Sequence, residues 1–454
     1  MSRDRRFLET RNREQASLYG QSLREAVAGE AEVLALEAAL AQLDFGKLEA
    51  GYPETGHPSY PPRVLAGILL YGYSLGLRSS RQLEGMCRLH AGFRDLAFGL
   101  EPDHTTLCRF RRGHGEALRE LFRESVRLCQ EAGLVRLGRV AVDGTKVRAN
   151  RSRQGLARAE AEFAQALEEA EAADGGEEGA GQECALMKTT EGIQPAYNAQ
   201  AVVDAEAQVI VACAVSPAVN DSNHLEPMLT QVVENCGVRP GQVLADGGYL
   251  NQEQVAALEG AGQEVYVPVR AAGLGRMRWE EASQAYRCPE GKLLRACGLR
   301  KGKLVYRCFQ CRGCPQKAAC KVTGVSKELH VAPERQQELE WLAVRMGRAE
   351  GQAIYRQRSP LIEPVFGWRK HNGGFRRFLL RGQRGAEGEW CVLCALHNLW
   401  RWIRRVGPGE GGTMSARSGT AGLLLDWWRA LLGNLGPTGW AWRERKAAPP
   451  RLSH

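Results

Sequence analysis

The sequence predicts a mixed α/β fold with a helical N-terminal region. Apolar side chains recur at helical spacing through residues 1–135, whereas residues 138–149 and 197–215 alternate apolar and polar side chains as strands do. The patterns that follow run helix, strand, helix, strand, which is typical of a sheet flanked by helices. We therefore expect one mixed sheet preceded by a helical domain.

The helical domain covers residues 1–135. "EAEVLALEAALAQL" (30–43) has an apolar helical repeat, and "PPRVLAGILLYGYSLGL" opens with proline, as helices often do. Asp103 is expected to cap a later helix whose first turns carry three cations, Arg109, Arg111 and Arg112. Two interpretations remain open, a DNA-binding module resembling a helix-turn-helix and a helical packing domain.

Residues 136–269 are expected to form the first part of the α/β core. "GRVAVDGTKVRA" predicts a strand, residues 150–195 a surface insertion, and residues 197–215 a hairpin in which Asn198 and Gln200 face either the site or solvent. A helix closed by Gly237 follows, then a strand ending in Asp246, a helix in "QEQVAALEGAG" and a strand in "EVYVPV".

A cysteine-rich insertion is expected at residues 270–335. Two Cys-x-x-Cys steps lie in "CFQCRGC", and four thiolates are enough for a tetrahedral zinc site. The alternative is a set of buried or free thiols. The preferred ligands of a structural zinc ion are Cys288, Cys311, Cys314 and Cys320, with Cys308 spare.

Residues 336–405 return to helical spacing and carry many cations. A helix is expected to restart at Pro360 and to kink near Glu363, because Pro364 disfavours helical geometry there. Glu387 and Glu389 are the two acids between residues 364 and 405, so this segment either attracts phosphates or forms a solubilising face. No role is assigned to the tail, residues 406–454.

Composition points to a cytoplasmic protein that does not enter a membrane. The first ten residues lack the apolar run of a signal peptide, and the apolar run at 64–77 is too short to cross a bilayer. Fourteen cysteines without a secretion signal fit a reducing compartment. The net charge of +9 suits a polyanionic partner.

Three acids are candidate metal ligands. Asp143 and Asp246 each precede glycine at the end of a predicted strand, which is where ligands bind α/β sheets, although Asp-Gly pairs also form ordinary turns. Glu363 lies on the returning helix, just before the many cations of residues 364–405. Three such carboxylates can hold two Mg²⁺ or Mn²⁺ ions about 4 Å apart and catalyse in-line attack on phosphorus.

The chain resembles the DDE transposases of bacterial insertion sequences. The resemblance rests on "VAVDGTKVRAN", "YNAQAVVD", "LADGGY" and "YRQRSPLIEPVFGWRKHNGGFRRFLLRG", and it spans roughly residues 55–405 in the family's order. It implies an RNase H-like catalytic core with Asp143, Asp246 and Glu363 as the catalytic triad and ligands of two Mg²⁺ (or Mn²⁺) ions. The signature around the family's glutamate is filled here by Tyr355, Arg358 and Lys370, with an Arg-to-Glu gap one residue longer than in its commonest form.

The resemblance further implies binding of terminal inverted repeats, strand cleavage and joining of the 3′ hydroxyl to target DNA. Partners would be double-stranded DNA at the bacterial nucleoid and further copies of the chain, as a homo-oligomer in a synaptic complex. The alternatives are a metal-dependent nuclease without strand transfer, an inactive or domesticated DNA-binding protein, and a zinc-dependent regulator. The expected DNA contacts are Tyr355, Arg358, Arg369, Lys370, Arg376, Arg377, Arg381, Arg109, Arg111, Arg112 and Lys146.

Overall fold

The N-terminal region is helical, as predicted. A computed structural model describes residues 8, 12–15, 22–53, 57–113, 115–151, 184–189, 191–268, 277–300, 303–317, 320, 325–331, 341–342, 344–371 and 375–406. The helices of the N-terminal region are α1 Leu23–Ala26, α2 Ala31–Leu40, α3 Gly46–Ala50, α4 Pro62–Ser74, α5 Ser80–Leu89, α6 Ala91–Leu96, α7 His104–Gly113 and α8 Gly115–Glu131.

The ends of these helices follow local sequence signals. Pro62 stands at the start of α4, where a missing N–H costs nothing. Asp103 precedes α7, and its carboxylate accepts a hydrogen bond from the Thr106 amide at 2.7 Å, which confirms the predicted cap. α2 and α4 are buried along most of their length, so they form the centre of the helical region.

A mixed sheet forms the core of the molecule, as predicted. Its strands lie in the order β2-β3-β1-β5-β6, with β4 also paired to β3. β1, β2 and β4 pair antiparallel with β3, whereas β1–β5 and β5–β6 are parallel. The strands are β1 Arg139–Arg148, β2 Ala185–Thr189, β3 Gly192–Asp204, β4 Ile210–Ser216, β5 Gln242–Ala245 and β6 Glu264–Tyr266.

Helices cover this sheet and connect it to the helical region. They are α9 Leu225–Cys236, α10 Gln252–Gly260, α11 Ala349–Tyr355, α12 Arg358–His371 and α13 Gln383–Val406. α9 ends at Gly237, whose φ of 77° gives the left-handed cap expected from the sequence. α13 packs against α8 and β4, and the helical region and the sheet share one hydrophobic core.

A second sheet lies in the cysteine-rich segment. Its strands are all antiparallel in the order β11-β10-β9-β8-β7, and its buried side chains form a separate cluster. They are β7 Arg278–Glu280, β8 Ala285–Arg287, β9 Leu293–Arg300, β10 Lys303–Cys308 and β11 Lys327–Val331.

The predicted helix restart at Pro360 is wrong by two residues. α12 begins at Arg358 and continues through Pro364. A proline inside a helix has no N–H for the carbonyl four residues earlier, here that of Pro360. The side-chain amide of Gln208, in the β3–β4 turn, donates to the carbonyl oxygens of Pro360 at 3.1 Å and Leu361 at 3.3 Å. This external donor replaces the missing bond, so the helix tolerates its proline.

Parts of the predicted organisation fall outside the described residues. These are most of the 150–195 insertion, which is described only at 150–151, 184–189 and 191–195, and the tail after residue 406. In the part of the chain that is described, no helix is both long enough and apolar enough to span a bilayer.

Candidate active site

The strand register places Asp143 beside Asp246. β1 and β5 run parallel with Val142 aligned to Ala245, and the two aspartates are the next residue on each strand. β5 ends there, and Asp246 accepts a hydrogen bond from the Gly248 amide at 2.7 Å. β1 continues to Arg148 against β3, so Asp143 lies inside its strand rather than at the predicted strand end. It nevertheless marks the point where β1 loses its parallel neighbour, at the sheet edge where α/β proteins bind ligands.

Asp143 is held by an ion pair with α12. Arg358 donates to its Oδ2 at 3.0 Å, and the Gly144 amide donates to its Oδ1 at 2.9 Å. Burial raises the pKa of Asp143; Arg358 and the Gly144 amide oppose this rise, and Asp246 adds to it. Tyr355 lies close enough to Arg358 to raise the pKa of its guanidinium, so these two predicted DNA contacts adjoin the Asp143 carboxylate.

A third aspartate, Asp221, faces the same region and escaped the sequence analysis. Its Oδ1 accepts three hydrogen bonds, from Asn198 Nδ2 at 2.5 Å, Gln200 Nε2 at 2.8 Å and Lys146 Nζ at 3.3 Å. Asn198 and Gln200 are fully buried, so they face this cluster rather than solvent. Lys146, predicted to contact phosphate, is partly buried and neutralises Asp221.

Tyr249 lies near the three aspartates and was also missed by the sequence analysis. It is buried and its hydroxyl donates to Gln200 Oε1. Burial raises the pKa of its hydroxyl far above the ordinary value, and the charges of Asp221, Asp143 and Asp246 raise it further. The four side chains therefore share one electrostatic environment. The "LADGGY" motif carried a signal for Tyr249, three residues beyond Asp246, whereas Asp221 lies in a loop with no pattern of its own.

Two glycines leave room for this arrangement. A Cβ on Gly144 would lie 2.6 Å from Asn198 Oδ1, too close for any side chain. A Cβ on Gly248 would lie 2.8 Å from Asp246 Oδ1 and 3.5 Å from Asp221 Oδ2. The carboxylates of Asp246 and Asp221 thus border the same small space, which only glycine keeps open.

Glu363 lies on α12, which packs against β1 and β3. It is five residues beyond Arg358, about 7.5 Å farther along the helix axis and about 140° around it. Its side chain is exposed. The structure therefore brings the helix of Glu363 onto the strand of Asp143, but it does not bring the Glu363 carboxylate into a group with the two aspartates.

The basic segment, residues 375–381, runs beside the outgoing end of β1. Arg377 forms an isolated parallel bridge with Arg148, and the Phe378 amide donates to the Arg148 carbonyl at 2.9 Å. Phe375 and Phe378 are buried, whereas Arg376, Arg377 and Arg381 are exposed. The segment therefore presents three cations next to the strand that carries Asp143.

Glu389 anchors the basic segment from below. It is 1% exposed on α13 and accepts hydrogen bonds from the amides of Leu379 at 2.8 Å and Leu380 at 3.4 Å and from Arg78 at 3.3 Å. Burial raises its pKa; Arg78 is the strongest opposing influence. This acid is therefore part of the scaffold that holds the cations and does not reduce the charge that they show to solvent.

The predicted DNA contacts of the helical region divide into two kinds. Arg109 and Arg112 are exposed on α7. Arg111 is only 4% exposed and donates to the Tyr73 hydroxyl, the Arg78 carbonyl and Ser80 Oγ. Arg111 therefore stabilises the helical region, because the helix turns its side chain into the core.

Arg369 and Lys370, two further predicted DNA contacts, belong to α12, but their side chains lie outside the described part of the structure.

The carboxylate site suits a divalent ion chemically. Aspartate and amide oxygens are the hard donors that Mg²⁺ and Mn²⁺ prefer, and buried Asn198 Oδ1 has no hydrogen-bond partner in the described structure. Across the described residues, no three His, Cys, Asp or Glu side chains converge well enough to hold an ion. The donor types fit, and Glu363 must approach the aspartates to complete a three-carboxylate site.

The predicted zinc ligands belong to the second sheet and not to the carboxylate site. Cys288, Cys311, Cys314 and Cys320 line one small cavity there, together with Cys308. All five are free thiols.

Comparison with known families identifies two segments of the chain. Residues 24–113 match a transposase domain (DUF772), which covers α1 to α7. Residues 287–403 match a transposase DDE domain, which covers Glu363, the basic segment and the cysteine cluster but neither Asp143 nor Asp246. No curated protein matches the chain. The DDE match implies an RNase H-like fold, in agreement with the mixed sheet and its flanking helices. Two segments that match transposase domains thus lie on either side of residues 114–286, and together they support a DDE transposase of the insertion-sequence type.

Proposed function

We propose that this transposase binds the terminal inverted repeats of an insertion sequence and catalyses divalent-metal-dependent DNA cleavage and strand transfer. The observation that carries the proposal is the β1–β5 register, which sets Asp143 beside Asp246 at the ligand-binding edge of the sheet. Exposed cations beside the same strand support DNA as the substrate.

Asp143, Asp246 and Glu363 are the proposed ligands of two Mg²⁺ or Mn²⁺ ions. When bound, such ions supply Lewis-acid activation of the attacking oxygen and stabilise the leaving oxygen at phosphorus. Arg358 orients Asp143 and opposes the rise in its pKa that burial causes. Because Arg358 and Glu363 share α12, the contact of Arg358 with Asp143 also holds the third carboxylate near the sheet.

Asp221 is proposed as a positioning residue. It receives hydrogen bonds from Asn198, Gln200 and Lys146, and Gln200 in turn holds Tyr249 between the aspartates. Partners of this kind orient metal ligands and exclude alternative side-chain positions.

Double-stranded DNA is proposed to lie across the basic segment and toward α7. Phosphate contacts position DNA without reading its sequence, a role that flexible exposed arginines fill well. Element ends and target DNA would both pass the carboxylate site, in a homo-oligomer that pairs two ends in the cytoplasm at the nucleoid. The proposed contacts are Arg376, Arg377, Arg381, Arg369, Lys370, Arg109 and Arg112.

A strand-transfer assay tests the proposal. The substrates are DNA ends taken from the sequence flanking the gene, with Mg²⁺, and the parent is compared with Glu363→Gln. Glu350→Gln serves as the matched control, since Glu350 is an exposed carboxylate on α11. The parent and the control should cleave and join, whereas Glu363→Gln should bind the same DNA and do neither.

Each other outcome has a distinct meaning. DNA binding by the parent without metal-dependent cleavage would refute the enzymatic proposal and favour an inactive DNA-binding protein. Cleavage without joining would favour a nuclease. Full activity of Glu363→Gln would remove Glu363 from the site.

A further inference from the structure

The second sheet has too small a core to hold its five strands by packing alone. The buried members of its hydrophobic cluster are Tyr286, Leu294, Tyr306, Cys308, Cys311 and Leu329. β9 is exposed along most of its length, and Leu299 and Phe309 are 68% and 66% exposed. Sheets with so little buried apolar surface usually need disulfides or a bound metal. The described cysteines of this segment are free thiols, and thiols of this kind can bind a metal ion.

Five cysteine thiols surround one small cavity at the edge of this sheet. Its volume is about 20 Å³, enough for one water-sized group or one ion. The sulfurs border the cavity without converging on one point, so metal binding requires rotation of the cysteine side chains. The cysteines are Cys288, Cys308, Cys311, Cys314 and Cys320.

The charge around the cavity suits an anionic metal centre. Zn²⁺ with four thiolates carries a net charge of −2. Lys292, Lys317 and Lys327 line the cavity, against one acid, Glu290. The ammonium groups of Lys292 and Lys327 reach carbonyl oxygens in the turns around it, at 2.6 and 2.9 Å. The net negative charge of a zinc–thiolate centre would therefore lie beside an excess of cations.

The backbone around the cysteines already has the form of metal-binding turns. The Lys292 amide donates to Cys288 Sγ at 3.3 Å, and Gly291 turns the chain with a φ of 77°. Cys311 and Cys314 are joined by a tight turn in which the Cys314 amide donates to the Cys311 carbonyl at 3.2 Å. Amide hydrogen bonds to sulfur stabilise a thiolate, and the Cys-x-x-Cys spacing lets two thiolates reach one ion.

We propose that Cys288, Cys311, Cys314 and Cys320 bind one structural zinc ion that fastens the edge of the second sheet. Cys308 is left out of the ligand set, because it lies within β10 and is 2% exposed among the aromatic side chains of the cluster. Four thiolates complete a tetrahedral site and leave no open position for catalysis. In sequence, the second sheet lies between β6 and the two helices that lead to Glu363.

Metal content and cobalt spectroscopy of the full-length protein test the site. The reduced parent should purify with about one zinc ion per chain, and Co²⁺ exchanged into it should give the intense visible bands of a tetrahedral thiolate centre. Cys288→Ser and Cys314→Ser should each lose the zinc and the cobalt bands. Cys308→Ser should keep both, as should Cys297→Ser, which alters an exposed thiol on β9 outside the cavity.

The readout does not depend on DNA cleavage, so it stands apart from the proposed transposition. A reduced parent that takes up neither zinc nor cobalt overturns the site. Full metal content in Cys288→Ser and Cys314→Ser overturns it as well, and metal loss in Cys308→Ser with retention in Cys320→Ser overturns the ligand set. If the serine variants fail to fold, limited proteolysis of the parent decides: chelation should expose residues 277–331 to cleavage, and unchanged resistance counts against the proposal.

Discussion

Replacing Glu389 by alanine should loosen the backbone of the basic segment. It changes none of the side chains of the carboxylate site. The Glu389 carboxylate is the shared acceptor for the amides of Leu379 and Leu380 and for the Arg78 guanidinium. Alanine removes this acceptor from a fully buried position and leaves three donors without it.

The expected decrease in the free energy of unfolding can be worked out from these contacts. Hydrogen bonds to a charged group contribute about 1.5–3 kcal/mol each, and breaking a buried ion pair costs about 3–5 kcal/mol. The raised pKa of Glu389 shows that burial already penalises its charge, and Arg78 keeps a second bond, to the Arg377 carbonyl at 2.9 Å. We therefore expect the free energy of unfolding to fall by about 3–5 kcal/mol and not by the sum of three charged hydrogen bonds.

Urea unfolding followed by tryptophan fluorescence measures this loss, since Trp390 adjoins the altered site. Glu387→Ala is the matched control. Glu387 lies on the same helix but is 22% exposed and pairs with partly exposed Arg119, so its loss should cost about 1 kcal/mol or less. DNA affinity should fall in Glu389→Ala and not in the control, because Arg376 and Arg377 lose their fixed backbone.

A Glu389→Ala variant that unfolds within about 1 kcal/mol of Glu387→Ala would refute the anchoring role. If Glu389→Ala were clearly destabilised but bound DNA as tightly as the parent, Glu389 would contribute to stability and not to DNA binding. The DNA affinity of the basic segment would then not depend on Glu389.

Three further outcomes are expected. Because burial raises the pKa of Glu389 above its ordinary value of 4.5, ionisation makes the native state less stable as pH rises from 4.5 through the native pKa, although the hydrogen bonds to Leu379, Leu380 and Arg78 remain. The advantage of the parent over Glu389→Gln in urea unfolding should therefore shrink, without vanishing, above pH 4.5, and a growing advantage would contradict the assignment. Asp221→Asn should lower the Mg²⁺-dependent cleavage rate about 10–100-fold and raise the Mg²⁺ concentration for half-maximal rate, whereas a purely structural role would leave that concentration unchanged. Gln208→Ala should weaken α12 by about 1 kcal/mol, seen by mass spectrometry as roughly fivefold faster hydrogen exchange in residues 358–371, and unchanged exchange would mean that Pro364 needs no external donor.

The strands and helices of the core were predictable because their signals are local. Alternation along β1, the glycine after α9 and the aspartate before α7 each act within a few residues. The pairing of Asp143 with Asp246 was also accessible, since both stand at the same point of strands expected to share a sheet. Glu363 was a candidate because it lies on the returning helix beside many cations, and the family resemblance gave it the role of third triad member.

The features that the sequence did not predict depend on contacts between segments that are far apart in the chain. Arg111 looks like a surface cation in sequence, and only the packing of α7 turns it inward. Asp221 enters the site because β3 presents two amides to its loop. Pro364 looks like a helix breaker because the residue that satisfies its helix, Gln208, is more than 150 positions away. A short stretch of sequence cannot show contacts between residues so far apart in the chain.

The central position of β1 also sets when the sheet can assemble during synthesis. β1 takes its antiparallel neighbour from residues 196–204 and its parallel neighbour from residues 242–245, and the helix with Glu363 follows more than a hundred residues later. Pairings this far apart form slowly and only after the later segment has left the ribosome. A nascent chain therefore cannot bring the helix of Glu363 onto β1 until residues 358–371 have left the ribosome, so the α/β core is completed only late in synthesis.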